Sequence, residues 1–152
     1  MIDIEEHMPL LQDMASDKHV VELGVRDGSG STMAFLRGAK KLTSYDITPL
    51  RPKHLAKLDT GDTDWEFIVG DSLEIEVPEC DLLFIDTHHV YAQLSKELTL
   101  HGNKSSRWIV MHDTETFPEM VPAIDEFIDE NPHWFVKEIL RNNNGLTILE
   151  RA

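Results

Sequence analysis

Acidic side chains close most of the segments that the apolar pattern predicts as parallel β-strands. They are Glu22, Asp46, Asp71, Asp86 and Asp113, the last of which follows His112. The carboxyl ends of parallel strands meet at one edge of a sheet, so these residues are expected to lie around one ligand site. Carboxylates grouped in this way can accept hydrogen bonds from ligand hydroxyls or bind a divalent cation. Solvation alone would account for one or two such residues, but not for this number of them.

Two histidines follow one of these acids closely. The sequence after Asp86 is Thr87-His88-His89. The pKa of an unperturbed histidine lies near neutrality, so His89 could accept a proton from a substrate hydroxyl as a general base. His88 is interpreted as a second candidate ligand or base, or as a solvated loop residue. His101 and His133 are expected at the surface.

A glycine-rich segment, here called the glycine turn, covers Gly24–Gly30 and separates a predicted strand from a predicted helix. Glycine lets the backbone turn sharply and lets a ligand approach where a Cβ atom would collide. The free N–H groups at the start of the helix suit an anionic group, and Arg26 could contact the same group. The spacing differs from the G-x-G-x-x-G of dinucleotide-binding proteins. A purely structural strand–helix junction is the alternative interpretation.

Two segments resemble a known family. Glu22–Gly30 reads E-x-G-x-x-x-G-x-G and resembles motif I of the class I S-adenosylmethionine-dependent methyltransferases. Asp81–Tyr91 reads D-x-x-F-I-D-x-x-H-x-Y, and the next strand ends in His112-Asp113-Thr114. This pair resembles a branch of small-molecule O-methyltransferases that includes cephalosporin-hydroxylase-like and macrolide-sugar enzymes. The resemblance extends over most of the chain, from about Val20 to Thr114.

The resemblance implies an S-adenosylmethionine-dependent methyltransferase that acts on a hydroxyl of a small molecule, such as a sugar or a natural product. The cofactor-binding residues would be Glu22, Gly24, Gly28 and Ser29 at the glycine turn, Asp46 for the ribose hydroxyls, and Asp71 and Ser72 for the adenine. The metal site would use Asp86 and Asp113, and His89 would be the catalytic base; His112, beside Asp113, is a further candidate metal ligand. A magnesium or manganese ion held there would chelate the substrate and lower the pKa of its hydroxyl group.

His112 departs from the pattern of this branch, which has an acid at that position. Magnesium prefers oxygen ligands. His112 therefore either faces away from the ion or shifts the preference of the site toward a softer metal, such as manganese or iron.

Strands and helices alternate in the predicted secondary structure. Asn142–Gly145 is a hairpin-turn signal near the end of the chain. This order predicts an α/β, Rossmann-like open sheet that is mostly parallel, with helices on both faces and a C-terminal antiparallel hairpin. The resemblance adds the strand order 3-2-1-4-5-7-6. The strands are predicted at His19–Val25, Leu42–Ile47, Trp65–Val69, Asp81–Asp86, Arg107–Met111, His133–Leu140 and Leu146–Arg151, and the helices near residues 3–16, 30–38, 49–58, 90–101 and 116–128.

The composition is typical of one globular domain, residues 1–152, with no apolar run long enough to span a membrane and no secretory signal. Fourteen Lys and Arg against 28 Asp and Glu give a formal net charge of −14. Such a field repels nucleic acid and anionic lipid, so the expected partner is a small-molecule acceptor. Cys80 is the one cysteine, which excludes an internal disulfide and favours a reducing, cytoplasmic location.

Three other functions remain open. A nicotinamide-dependent oxidoreductase is disfavoured by the glycine spacing and by the lack of a Tyr-x-x-x-Lys pair. A metal-dependent hydrolase or oxygenase would use His88 or His89, His112 and an aspartate, but would leave Asp46 and the glycine turn unexplained. A catalytically inactive nucleotide-binding module is the third, because the short chain has no evident substrate lid. The N-terminal helix or a second subunit of a homo-oligomer could supply one.

Overall fold

The computed structural model describes residues 3–152, which fold into seven β-strands and five α-helices with short 3₁₀ turns at Glu5–His7, Gly102–Lys104 and Pro118–Met120. None of the helices in this range is long and apolar enough to cross a bilayer. The strands are β1 (His19–Leu23), β2 (Lys41–Asp46), β3 (Asp64–Val69), β4 (Cys80–Ile85), β5 (Ser105–His112), β6 (Trp134–Leu140) and β7 (Leu146–Arg151). The helices are α1 (Met8–Ala15), α2 (Ser31–Gly38), α3 (Pro52–Leu55), α4 (Tyr91–His101) and α5 (Val121–Glu130).

The strands form one sheet in the order β3-β2-β1-β4-β5-β7-β6. Neighbouring strands from β3 to β5 are parallel. Strand β7 runs antiparallel between β5 and β6. The predicted order, the mostly parallel sheet and the terminal hairpin are therefore confirmed. The direction of winding reverses between β1 and β4, and open α/β sheets bind ligands at the carboxyl ends of such strands.

The central strands are buried on both faces. Val20 and Phe84 pack with residues of α1 and α2, whereas Val21 and Leu83 pack with residues of α4 and α5. All four side chains are completely buried. Successive residues of a strand point to opposite faces, so a strand covered on both sides reads as an unbroken apolar run. This packing fixes the carboxyl ends of β1 and β4 beside each other.

Among the predicted boundaries that differ from the structure, two affect the carboxyl edge of the sheet. Strand β1 ends at Leu23 instead of Val25, because Gly24 leaves the strand with a φ of +96°. Helix α3 ends at Leu55, short of the predicted Leu58, and none of its residues is buried. Short helices are marginal without an apolar face to pack. The segment that follows β2 is therefore mostly loop, which leaves the edge of the sheet open there.

Candidate functional site

The glycine turn contacts the loop that follows β4. A Cβ atom built on Gly24 would lie 1.9 Å from the backbone oxygen of Asp86. The positive φ of Gly24 is also one that other residues rarely adopt. Only glycine satisfies both conditions. Gly24 thereby allows the glycine turn to lie directly against Asp86, at the point where the winding of the sheet reverses.

Glu22 supports the glycine turn from beneath. Its side chain is completely buried, and its carboxylate accepts hydrogen bonds from the hydroxyls of Ser31 at 2.5 Å, Thr32 at 2.9 Å and Ser44 at 2.8 Å. Ser31 and Thr32 begin α2, so Glu22 joins the start of that helix to β1 and β2. Burial raises the pKa of Glu22 to about 7, although the three hydroxyls oppose the shift. The structure places this predicted cofactor-binding residue below the surface of the cleft.

Asp46 holds the other side of the glycine turn. Its Oδ2 atom accepts hydrogen bonds from the N–H groups of Val25 at 2.8 Å and Arg26 at 3.0 Å, and its Oδ1 atom accepts one from Thr48 at 2.9 Å. A carboxylate offers about four acceptor positions, so one position is left on Oδ1 for a ligand hydroxyl. Asp46 both shapes the turn and lines the cleft.

Two adjoining cavities of about 480 and 390 Å³ open along the carboxyl edge of the sheet. Gly24, Arg26 and Asp86 line both of them. We call them the first cavity, which the glycine turn lines, and the second cavity, which the loops after β2, β3 and β4 line. Of the predicted cofactor-binding residues, Gly24, Ser29, Asp46, Asp71 and Ser72 line the cavities, whereas Gly28 lies against the side chain of Leu58.

A second buried carboxylate, Glu97 of α4, lies beneath the second cavity. It is completely buried and accepts hydrogen bonds from Ser72 Oγ at 2.5 Å, Thr87 Oγ1 at 2.7 Å and Gln93 Nε2 at 3.2 Å. Burial raises the pKa of Glu97, and these donors oppose the shift. Glu97 thereby joins the loop after β3 to the loop after β4. No sequence motif predicts this role. The sequence feature that could have indicated burial of Glu97 is its position three residues after Leu94, on the buried face of α4.

The loop after β3 is also fixed by His101, which the sequence analysis expects at the surface. That expectation is wrong: His101 is 2% exposed, and its Nε2 atom donates to the backbone oxygen of Ser72 at 2.6 Å. Asp71 accepts a hydrogen bond from the N–H of Leu73 at 2.9 Å within the same loop. Helix α4 packs on the sheet as far as its last residue, and this packing covers the His101 ring.

Four predicted residues meet at the ends of β4 and β5. We call Asp86, His89, His112 and Asp113 the His–Asp cluster. His89 Nε2 lies 3.0 Å from Asp86 Oδ1 and 2.6 Å from Asp113 Oδ2. His112 Nδ1 lies 3.4 Å from Asp86 Oδ2 and 3.3 Å from Asp113 Oδ2. The structure therefore brings together the residues that were predicted as metal ligands and as catalytic base.

The hairpin between β6 and β7 orients His112. The His112 side chain is completely buried, and its Nε2 atom lies 2.9 Å from the backbone oxygen of Asn143. A carbonyl oxygen can only accept, so Nε2 carries the proton and Nδ1 faces the cluster. Within residues 3–152, neither His112 Nδ1 nor Asp113 Oδ2 has a hydrogen-bond partner in good alignment. Buried polar atoms without partners are uncommon in native proteins and point to a missing ligand or strain.

The same hairpin positions Asp113. Asp113 has a φ of +68°, and its N–H donates to the backbone oxygen of Gly145 at 2.9 Å. A Cβ atom on Gly145 would lie 2.4 Å from the backbone nitrogen of Glu115, so glycine is needed for this approach. The sequence predicts the hairpin turn but not its contact with the loop after β5.

Charges within the cluster strongly perturb its histidines. The Asp113 and Asp86 carboxylates outweigh burial and raise the pKa of His89 to about 9. Burial lowers the pKa of His112, but the same carboxylates outweigh it and bring that pKa to about 10. Burial also raises the pKa of Asp113, yet the two histidines hold it well below its ordinary range. In the cation-free protein, His89 is therefore protonated at neutral pH.

The N-terminal segment covers one side of the cluster, which the sequence does not predict. An Asp3 oxygen lies within 4.8 Å of ligand atoms of His112 and Asp113, and Asp3 also pairs with Arg26 at 3.3 Å. His7 is buried, and its Nε2 atom lies 2.8 Å from the backbone oxygen of Asn142. The segment is thus fastened to the hairpin turn and forms a wall of the first cavity.

The His–Asp cluster fits a divalent cation. Asp86, His89 and Asp113 offer ligand atoms within 4.8 Å of one another, and so do Asp3, His112 and Asp113. A cation between them would give His112 Nδ1 and Asp113 Oδ2 the partner that they lack. Two carboxylates would balance its charge.

No family model and no curated protein matches this sequence. The structure is similar to a proposed SAM-dependent methyltransferase from Streptococcus mutans, with a TM-score of 0.74 and 14% identity over 99% of this chain and 49% of that one. This chain therefore spans about half the length of that protein.

Two similar structures of characterised enzymes contain S-adenosylhomocysteine. One is the N-methyltransferase NodS from Bradyrhizobium japonicum WM9, with a TM-score of 0.66 and 13% identity over 97% of this chain and 86% of that one. The other is 1,6-didemethyltoxoflavin-N1-methyltransferase from Burkholderia thailandensis, with a TM-score of 0.69 and 12% identity over 99% and 78% of the two chains. Together with the strand order, these likenesses show that the chain has the fold of the class I S-adenosylmethionine-dependent methyltransferases.

Proposed function

We propose that this chain binds S-adenosylmethionine and transfers its methyl group to a hydroxyl of a small molecule, with a divalent cation at the His–Asp cluster. The observation that carries the proposal is the cleft along the carboxyl edge of the sheet, which is lined by the glycine turn, Asp46 and Asp71 and has Asp86 where its two cavities adjoin. Asp86 belongs to both the cleft and the cluster, so a cofactor and an acceptor would meet there. The structures with S-adenosylhomocysteine support the choice of cofactor.

The adenosine part of the cofactor suits the second cavity. Asp46 has one acceptor position left for a ribose hydroxyl. Ile47 is 70% exposed, and it lines this cavity where an apolar side chain could pack against a base. Asp71 and Ser72 line the same cavity. The methionine part suits the first cavity, where the start of α2 and Arg26 could contact its carboxylate.

The reaction would be a direct displacement. Bound S-adenosylmethionine supplies an electrophilic methyl group; its sulfur–carbon bond breaks as the carbon–oxygen bond to the acceptor forms, S-adenosylhomocysteine leaves, and the hydroxyl proton passes to a base. The contribution of the protein is to align the two reactants and to promote loss of that proton. Asp86 and Asp113 would hold the cation that binds the acceptor oxygen, and this contact would lower the pKa of the hydroxyl.

The proposed role of His89 as general base requires a neutral imidazole. The adjacent carboxylates raise the pKa of His89 to about 9 in the cation-free protein, so the ring already carries its proton at neutral pH. A cation that offsets the charge of Asp86 and Asp113 would remove the cause of this shift. His89 can therefore act as the base only in the cation-loaded enzyme.

We further propose a small, uncharged or cationic acceptor and a cytoplasmic setting. The net charge of −14 disfavours nucleic acid and anionic membranes as partners. Cys80 is buried and free, as suits a reducing compartment. A homo-oligomer would supply additional cover for the cleft, which is open along the edge of the sheet.

Calorimetric titration with S-adenosylmethionine and S-adenosylhomocysteine tests the cofactor assignment, with NAD as the control ligand. We expect micromolar binding of both adenosyl ligands and none of NAD. Asp46→Ala should abolish binding, because it removes the ribose acceptor and releases the glycine turn. Asp46→Asn, which keeps one acceptor oxygen, should weaken binding less. Asp129→Asn changes an exposed aspartate of α5 and should bind normally.

The His–Asp cluster favours one competing function, a metal-dependent hydrolase or oxygenase, because two histidines and two carboxylates can bind a catalytic metal without any nucleotide. Binding of metal ions with no binding of either adenosyl ligand would contradict the methyltransferase proposal and favour this alternative. Binding of S-adenosylmethionine followed by metal-dependent methylation in a screen of polyhydroxylated acceptors would support the proposal.

A further inference from the structure

We propose that the His–Asp cluster is a mixed nitrogen–oxygen site for a first-row transition-metal ion, in which His89 and His112 are both ligands together with Asp86 and Asp113. This inference rests on the proposed function only for the role of the metal in acceptor binding. It replaces the role of His89 as general base, because the Nε2 lone pair cannot bind a metal and accept a proton at once. Metal binding by the four side chains can be measured without any cofactor or acceptor.

Each contact between a histidine and a carboxylate has the spacing of two ligands on one ion. The ligand atoms fall into two groups that share Asp113, namely Asp86, His89 and Asp113, and Asp3, His112 and Asp113, so a single ion requires His89 and His112 to close around Asp113. Atoms bound at about 2.1 Å from a metal lie about 3.0 Å apart in an octahedron and about 3.4 Å apart in a tetrahedron. The histidine nitrogens lie 3.0, 3.3 and 3.4 Å from carboxylate oxygens in three of the four contacts. The fourth, between His89 Nε2 and Asp113 Oδ2, is 2.6 Å and would need to open only slightly.

His112 is oriented as a metal ligand. Its Nε2 atom donates to the backbone oxygen of Asn143, so Nδ1 is the nitrogen that faces the cluster and would give its lone pair to a metal ion. A hydrogen bond from the second ring nitrogen to a backbone carbonyl is the usual way in which proteins fix a metal-binding histidine. A lone pair facing two carboxylates is repulsive unless a positive charge lies between them. Without a metal ion this charge is a proton on Nδ1, whose contacts of 3.4 and 3.3 Å with the two carboxylates are not aligned as hydrogen bonds.

His89 faces the same point from the other side. Its Nε2 atom contacts oxygens of both Asp86 and Asp113, and a single N–H cannot point well at two acceptors. The ring is held in this orientation by stacking on Phe117, with 4.6 Å between the ring centroids. An ion between the three side chains would satisfy all of them at once.

The donor set indicates which ions would bind. Magnesium requires near-ideal octahedral geometry, keeps several waters and is bound mainly by oxygen. Two imidazole nitrogens favour ions such as Mn²⁺, Fe²⁺, Co²⁺ or Zn²⁺, whose affinity for nitrogen donors follows the Irving–Williams order. Two carboxylates keep the site hard enough to bind the oxygen of an acceptor hydroxyl.

Titration of the chelator-stripped full chain with Co²⁺ tests the site, because the visible absorption of Co²⁺ reports its coordination. We expect absorption bands that saturate at one equivalent, that Zn²⁺ displaces, and that excess Mg²⁺ does not. His89→Gln should lower the Co²⁺ affinity at least about 10-fold, since the loss of an outer-shell partner alone costs a metal site about 10–100-fold. The matched control is His88→Gln, which changes the exposed neighbouring histidine and should leave the Co²⁺ affinity unchanged.

His112 is fully buried, so its variants could unfold for other reasons. Proton NMR of the wild-type Co²⁺ protein avoids this problem, and we expect hyperfine-shifted imidazole protons from two histidines. Shifts from fewer than two histidines, or Mg²⁺ binding as tight as Mn²⁺ binding, would overturn the inference. A His89→Gln protein that keeps full Co²⁺ affinity but loses methyl transfer would also overturn it and make His89 the base. Titration of the same samples with S-adenosylhomocysteine separates a failure of the metal site from a failure of the proposed function.

Discussion

The imidazole of His112 donates from Nε2 to the backbone oxygen of Asn143 at 2.9 Å, which links the end of β5 to the tip of the β6–β7 hairpin. The acceptor is a main-chain atom, so its position depends on the conformation of the turn. Asn143 and Asn144 both have positive φ values, of 46° and 68°. The hairpin therefore sets which nitrogen of His112 faces Asp86 and Asp113.

Gly145→Ala should weaken metal binding without touching a ligand. The new Cβ atom would lie 2.4 Å from the backbone nitrogen of Glu115, so the loop that carries Asp113 must move away from the hairpin. We expect the affinity for Co²⁺ to fall about 10–100-fold, as for the loss of an outer-shell contact. Affinity for S-adenosylhomocysteine should stay within a factor of a few, because Gly145 lines neither cavity. Unchanged Co²⁺ affinity would show that the hairpin does not position the cluster.

Gly24→Ala should destabilise the protein far more than Gly61→Ala. Both glycines have positive φ, so alanine costs about 1–2 kcal/mol at either position. At Gly24 the Cβ atom would also collide with the backbone of Asp86, whereas nothing lies within 4 Å of it at Gly61. We expect Gly24→Ala to lose at least about 3 kcal/mol in urea unfolding, or not to fold. Equal losses for the two variants would contradict the close contact of β1 with Asp86.

Glu22 should give the free energy of unfolding a distinct pH dependence. Its pKa is raised from an ordinary 4.5 to about 7 in the folded protein, so folding favours its protonated form. The resulting stabilisation is complete below pH 4.5 and is lost as the pH rises through about 7. It amounts to about 3 kcal/mol at most. In urea unfolding from pH 5 to 8, Glu22→Gln should flatten this decline.

The control for that comparison is Glu138→Gln, which changes an exposed glutamate of β6. It should keep the wild-type pH dependence. A Glu22→Gln protein that loses stability between pH 5 and 8 as steeply as the wild type would show that another group causes the decline.

Glu97 should act on cofactor binding through the loops that it joins. Glu97→Leu removes the acceptor of Ser72, Thr87 and Gln93 and leaves their polar groups buried, which costs about 1–3 kcal/mol of stability for each unsatisfied group. We expect the affinity for S-adenosylhomocysteine to fall about 10-fold or more in calorimetry, since the second cavity loses its floor. Glu97→Gln keeps one acceptor oxygen and should recover part of the affinity.

A loss of stability alone would not explain a lower affinity for S-adenosylhomocysteine in Glu97→Leu than in Glu97→Gln. If Glu97→Leu lowers the melting temperature while the affinity for S-adenosylhomocysteine in the folded fraction is unchanged, Glu97 has only a structural role. Glu130→Gln on the exposed end of α5 is the matched control and should alter neither quantity.

The sheet and the meeting of acids at its carboxyl edge could be predicted because both follow from local patterns. An apolar run followed by an acid marks a buried strand and its end, and parallel strands bring such ends together. Asp86 and Asp113 each follow their strand directly and lie in one cluster. The strand order came from the family resemblance and not from these patterns.

Roles that depend on contacts between distant segments could not be predicted. Glu22 was grouped with the acids at strand ends, but β1 continues to Leu23, so Glu22 points with Val20 toward α2 and is buried. Its partner Ser44 and the partners of Glu97 lie on other elements, and their distances become short only after the helices pack. The contact between His112 and the hairpin depends in the same way on the antiparallel pairing of β5 with β7.

The contact between Gly24 and Asp86 has a consequence for protein engineering. The centre of the cleft is formed there by main-chain atoms, which substitution of side chains cannot make smaller. Substitutions at Gly24 would therefore not enlarge the cleft for analogues with larger sulfonium substituents. The second cavity is instead bordered by the side chains of Ile47, Leu73 and Gln93, whose size can be changed one at a time. If the second cavity holds the adenosine, as we propose, selection for altered cofactor preference should accumulate substitutions around that cavity.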